Sequence, residues 1–135
     1  MYENLEVGTN EARTFTVQTD QTIDFMGKNA RVYATPSLVR DIEHTCRDLI
    51  HSRVPEGEDS VGTVVNIVHM APTLLGMQVT VDVTIAEIDG RKVVFDVVAK
   101  DPLDTICKGR HERFIVDVAK TKERLKAKAA KVSGM

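Results

Sequence analysis

A hydroxyl, a carboxylate and an imidazole stand at Thr35, Glu43 and His69. Together they make a kit for acyl transfer, in which a carboxylate attacks or activates water, an imidazole moves protons and a hydroxyl orients its neighbours. Thr35-Pro36 opens a helix that carries Glu43, and His69 closes the run Ser60-Val-Gly62-Thr-Val-Val-Asn-Ile-Val-His69, which reads as a strand. A small domain with one sheet packs such a helix against such a strand.

The elements that must position these groups follow from periodicity. Ala12 to Thr19 alternates as a first strand, and Asp20 to Tyr33 is a polar crossing broken by Gly27 and Asn29, either a lid or a plain connector. Thr35 then offers an N-cap with Pro36 at the first helical position, and Leu38, Val39, Ile42, Cys46, Leu49 and Ile50 form one apolar stripe ending near Val54-Pro55-Glu56-Gly57. Beyond it the period becomes two. Val61 to Met70 is apolar on both parities, as expected of a strand covered on both faces. Val79, Val81, Val83 and Ile85 alternate with polar residues, and Asp89-Gly90 supplies a hairpin turn into Val93, Phe95, Val97 and Ala99. Asp101-Pro102 turns the chain into a last strand, Thr105 to Val118, where Gly109 is expected to mark a bulge. One strand, one helix and four strands in 135 residues predict an α+β hotdog fold, a curved antiparallel sheet wrapped around a central helix, in a single domain spanning 1–135. Such a sheet is expected to pair with a second copy, giving a homodimer or, where dimers pair again, a tetramer.

Composition narrows the function classes. The net charge is −2, so no bulk attraction to nucleic acid follows, and no run of roughly 20 apolar residues is present to span a bilayer. A cytoplasmic protein without membrane contact is the expectation. Cys46 falls on the helix stripe and Cys107 in a strand, with no metal-ligand spacing around either. The C-terminal segment 119–135 reads as a basic helix, with six cations against one acid from Lys120 to Lys131; a solvated tail is the first reading and a neighbour of the phosphates of a bound ligand the second.

Each chemical residue also has a plain structural reading. Glu43 falls at the edge of the apolar stripe, about 20° beyond Ile50 at roughly 100° per residue. Partial burial there makes a better base or nucleophile, but a flanking glutamate paired with a cation fits equally well. Thr35 is explained by capping alone, although a cap hydroxyl sits where helix amides favour an oxyanion. His69 shares a strand face with Val65 and Ile67, where a lone histidine is most often a core residue, and Arg113 fits an exposed strand cation as well as a ligand contact.

Taken in order and spacing, these residues match one family. In Ser60-Val-Gly62-Thr63, in Val68-His69 with Ala71-Pro-Thr-Leu-Leu-Gly76, and in Gly109-Arg-His-Glu-Arg113, the chain resembles the fluoroacetyl-CoA thioesterases of the hotdog superfamily over nearly its whole length. The resemblance implies an acyl-CoA thioesterase with Thr35, Glu43 and His69 as catalytic residues, Gly62 and Arg113 as substrate contacts, no metal, and no cofactor beyond the coenzyme A of the substrate. Where the family carries gating phenylalanines, nine and six residues before its threonine, this chain holds Met26 and Asn29. The implied substrate is therefore a short or medium acyl-CoA, not fluoroacetyl-CoA in particular. A non-catalytic acyl-CoA-binding module is the alternative, which needs neither Glu43 nor His69. A dehydratase is disfavoured, because Gly76 lies seven residues after His69 with no proline following, and a purely structural dimer would bind no acyl-CoA.

Overall fold

The computed structural model describes residues 2–135. Seven strands and two α-helices follow in chain order: β1 (Asn10–Thr16), β2 (Thr22–Ile23), β3 (Val32–Tyr33), α1 (Thr35–His51), β4 (Glu58–His69), β5 (Gln78–Asp89), β6 (Lys92–Lys100), β7 (Thr105–Asp117) and α2 (Val118–Ser133). Five strands form one antiparallel sheet in the order β1-β5-β6-β7-β4, and β2 pairs with β3 in a small second sheet.

Alternation dictates which face is dry. Val79, Val81, Val83 and Ile85 on β5, with Val93, Phe95, Val97 and Ala99 on β6, point inward and are buried. Gly90 takes the positive φ of 61° that the two-residue turn between β5 and β6 needs. Against this face lies the stripe of α1, with Leu38, Ile42, Cys46, Leu49 and Ile50 fully buried. Each large aliphatic side chain buried in this way contributes about 2 kcal/mol, which is what seats the helix on the sheet. The sheet wraps α1 as the element order predicts, and α2 trails from β7 with no buried residue of its own.

Four local expectations are corrected. The first strand runs Asn10–Thr16 and stops short of Thr19, because Gln18 and Gln21 cap each other around a 3₁₀ turn at Thr19–Gln21. Ala34, not Thr35, is the N-cap of α1: the Leu38 amide donates to the Ala34 carbonyl at 3.0 Å, so Thr35 is already helical and Pro36 follows it in the first turn. Gly109 pairs in register with both neighbouring strands and marks no bulge; a Cβ there would lie 2.2 Å from the Asn66 carbonyl oxygen, so close strand approach explains the glycine. The register shifts lie elsewhere: between Gly62 and Val64 in β4, between Ile85 and Glu87 in β5, and between Ala99 and Lys100 where β6 meets the start of β7. Finally, β4 is an edge strand paired only with β7, and its valines 61, 64, 65 and 68 are exposed, not covered on both faces. Among the described residues no helix is long and apolar enough to cross a membrane.

Candidate active site

Helix α1 runs antiparallel to β4, and three cross-links follow from that direction. Thr35 at the helix start meets His69 at the strand end, Glu43 at mid-helix meets Arg113 beside Gly62, and Arg47 grips Asp59 at 2.6 Å near the strand start. The sequence-derived residues thus fall into two groups.

The first group is Thr35 and His69. Thr35 Oγ1 and His69 Nδ1 share a hydrogen bond of 2.8 Å, and the other ring nitrogen, Nε2, is buried with no hydrogen-bond partner among the described residues. Both residues line a cavity of about 290 Å³ with Ile23, Val32, Met70 and Pro72. Burial lowers the His69 pKa below its ordinary value of 6.5, which favours the neutral ring. Behind it, the Tyr33 ring stands edge-on with centroids 6.3 Å apart, and the Tyr33 hydroxyl donates to the buried Asp41 carboxylate. Burial pushes the Asp41 carboxyl and the Tyr33 phenol upward.

The second group is Glu43, Gly62 and Arg113. Arg113 is buried, contrary to the exposed-cation reading, because residues 111, 113 and 115 share the inward face of β7. Its Nε donates to Ser60 Oγ and its Nη2 to the Ser60 carbonyl, both at 2.8 Å, while Nη1 lies 3.4 Å from Glu43 Oε2. The Glu43 side chain keeps 39% of its surface exposed. A Cβ at position 62 would sit 2.6 Å from Glu43 Oε2, so glycine is what lets the carboxylate lie against β4.

Between the groups the separation is large. Eight helical residues span roughly 12 Å at about 1.5 Å each, and seven strand residues roughly 23 Å. Within one chain, Thr35 and His69 meet, Glu43, Gly62 and Arg113 meet, and the two sets do not. Sequence reasoning passed over Ser60 and His111, although His111 lies in the quoted Gly109-Arg-His-Glu-Arg113 run and shares the parity of Arg113. Met26 and Asn29 are exposed on the crossing, with Phe25 at 86% exposure beside them. Among the described residues no group of three or more His, Cys, Asp or Glu side chains is placed to hold a metal ion.

The profile of a family described as fluoroacetyl-CoA-specific thioesterase matches residues 17–119. The fluoroacetyl-CoA thioesterase of Streptantibioticus cattleyicolor is 27% identical over 135 residues, covering 95% of this chain and 97% of the relative. A solved fluoroacetyl-CoA thioesterase superposes with a TM-score of 0.86 at 27% identity, over 93% of this chain and 98% of the other. A Thermus thermophilus protein described as a thioesterase superfamily member superposes with a TM-score of 0.90 at 28% identity, over 98% and 99% of the two chains.

Proposed function

Because the chain belongs to the fluoroacetyl-CoA-specific thioesterase family, a family of thioester hydrolases, we propose that it hydrolyses a short or medium acyl-CoA to the free acid and coenzyme A. The observation that carries this reading is the unpartnered, buried Nε2 of a histidine on a cavity wall beside a hydroxyl. A buried polar atom without a partner is costly to keep, and a reacting group in the cavity accounts for it.

The distance between the two groups is bridged by a second copy. Pairing of the β4 edges, antiparallel about a two-fold axis near Val65 and Asn66, sets the Gly62 end of one strand opposite the His69 end of the other. Each of two sites then takes Glu43, Gly62 and Arg113 from one copy and Thr35 and His69 from its partner. The exposed valines of β4 support this homodimer, since a long apolar edge is an aggregation hazard unless paired.

In such a site Glu43 adds to the thioester carbonyl carbon, or takes a proton from the water that does. The carbon–sulfur bond breaks, the departing sulfur receives its proton through His69, and one water is consumed overall. Thr35 and the first amides of α1 face the carbonyl oxygen, where negative charge develops. Arg113 and Gly62 fix the carboxylate and leave room for the acyl-CoA. Coenzyme A is part of the substrate, and the route calls on no other cofactor. Met26 and Asn29 replace the family's gating phenylalanines, which argues for an acyl group other than fluoroacetyl.

The test is thiol release across acetyl, fluoroacetyl, branched, aromatic and medium-chain acyl-CoA thioesters, with Glu43→Gln beside the wild type. The wild type is expected to turn over at least one of them and the variant to lose on the order of 100-fold or more with its melting temperature retained. A folded wild type silent across the panel would replace this reading with that of an acyl-CoA-binding module.

A further inference from the structure

His111 is fully buried on β7, between the β4 edge and the Arg113 side chain. Its Nδ1 lies 2.8 Å from the Val64 carbonyl oxygen, next to the point where the bulge drops Thr63 from the ladder. A carbonyl only accepts, so Nδ1 carries the hydrogen and, in the neutral ring, Nε2 presents a lone pair. Arg113 Nη1 lies 3.3 Å from that Nε2 and donates to it. All three guanidinium nitrogens are then spoken for: Nε and Nη2 by Ser60, and the two hydrogens of Nη1 by His111 and Glu43.

Gly62 shows how tightly these side chains converge. A Cβ there would lie 2.6 Å from Glu43 Oε2, 3.2 Å from His111 Cε1 and 3.3 Å from Arg113 Nη1. We propose that His111 is a positioning residue whose Nε2 lone pair holds the Arg113 guanidinium in the one orientation that seats the Glu43 carboxylate, a role that rests on the thioesterase reading of Glu43. A protonated ring would turn an N–H toward Arg113 and replace the acceptor with a second positive charge. Burial opposes that protonation most strongly and the Arg113 charge opposes it too, while the hydrogen bond to the Val64 carbonyl and, more weakly, the charges of Glu43 on α1 and Glu112 on β7 favour it.

Two variants separate the two ends of the ring. In His111→Gln the side-chain amide reaches the Nε2 position and can still accept from Arg113; in His111→Asn it reaches only the Nδ1 position and keeps the Val64 contact. The expected result is a fall in kcat of about tenfold or more for His111→Asn, with His111→Gln held within about threefold of wild type, both with melting temperatures well above the assay temperature. Equal losses that track melting temperature, or unchanged kcat in His111→Asn, would overturn the proposal. Histidine nitrogen NMR on the wild-type protein reads the tautomer without needing turnover or a foldable variant. A neutral ring protonated at Nδ1, at neutral pH, is the expected result, and an Nε2–H ring or an imidazolium would sink the idea. Because that measurement uses no substrate, loss of the positioning role and loss of the thioesterase reading give different patterns.

Discussion

Glycines 62 and 109 stand on neighbouring strands and have opposite reasons to lack a side chain. At Gly62 the nearest obstacle to a Cβ is the end of the Glu43 side chain, which can swing away; at Gly109 it is backbone of the adjacent strand. Gly62→Ala is therefore expected to fold with nearly wild-type melting temperature while losing about tenfold or more in turnover, since the carboxylate is displaced. Gly109→Ala is expected to cost about 3 kcal/mol or more of stability in denaturant titration, because two strands must part. The buried histidines supply a pH signature. His69 and His111 have folded-state pKa values below the ordinary 6.5, so between those values and 6.5 the unfolded chain binds more protons than the folded one. Stability from this source is present above pH 6.5 and is lost as the pH falls through that window. The raised Asp41 carboxyl works in the opposite sense, so the informative comparison is wild type against His111→Gln, which leaves Asp41 in place. Melting temperatures at pH 7.5, 6.5 and 5.5 should fall less steeply for the variant. The candidate residues themselves were legible through family resemblance, whereas His111 was not singled out, because a strand histidine flanked by charges gives no sign of which ring nitrogen meets a cation.

The elements were legible wherever local sequence alone decides them. The α1 stripe and the β5–β6 hairpin needed only a period and an Asp-Gly turn, and both stand where the sequence put them. What failed depends on neighbours distant in sequence. Thr35 has the chemistry of a cap, but Tyr33 and Ala34 are pinned by backbone bonds to Thr73 and Gln21, which starts the helix one residue earlier and hands the Thr35 hydroxyl to His69. The sheet shifts register in β4, in β5 and where β6 meets the start of β7, and not at Gly109, because register belongs to a pair of strands, not to either alone. An apolar run on both parities predicts a strand covered on both faces. The same pattern also fits an edge awaiting another molecule, and sequence periodicity does not distinguish the two.

For the molecule as a whole, the separation of Thr35 and His69 from Glu43 makes a sharp demand on assembly. If each site draws on two copies, Glu43→Gln and His69→Ala proteins, each inactive alone, should complement one another when unfolded together and refolded as a mixture. Half the dimers would be mixed, each with one intact site and one doubly defective one, so recovery of about a quarter of wild-type activity is expected. No recovery, with mixed dimers verified by mass, would mean that each chain closes its own site.

If the exposed valines of β4 seat a second copy, the pairing has a kinetic consequence as well. A chain that completes its catalytic group only by borrowing from another cannot work when isolated, and dilution below the dissociation constant acts as an inhibitor that leaves every fold intact. If the sites are shared in this way, the rate in that regime grows with the square of chain concentration, and abundance in the cell becomes a control on specific activity.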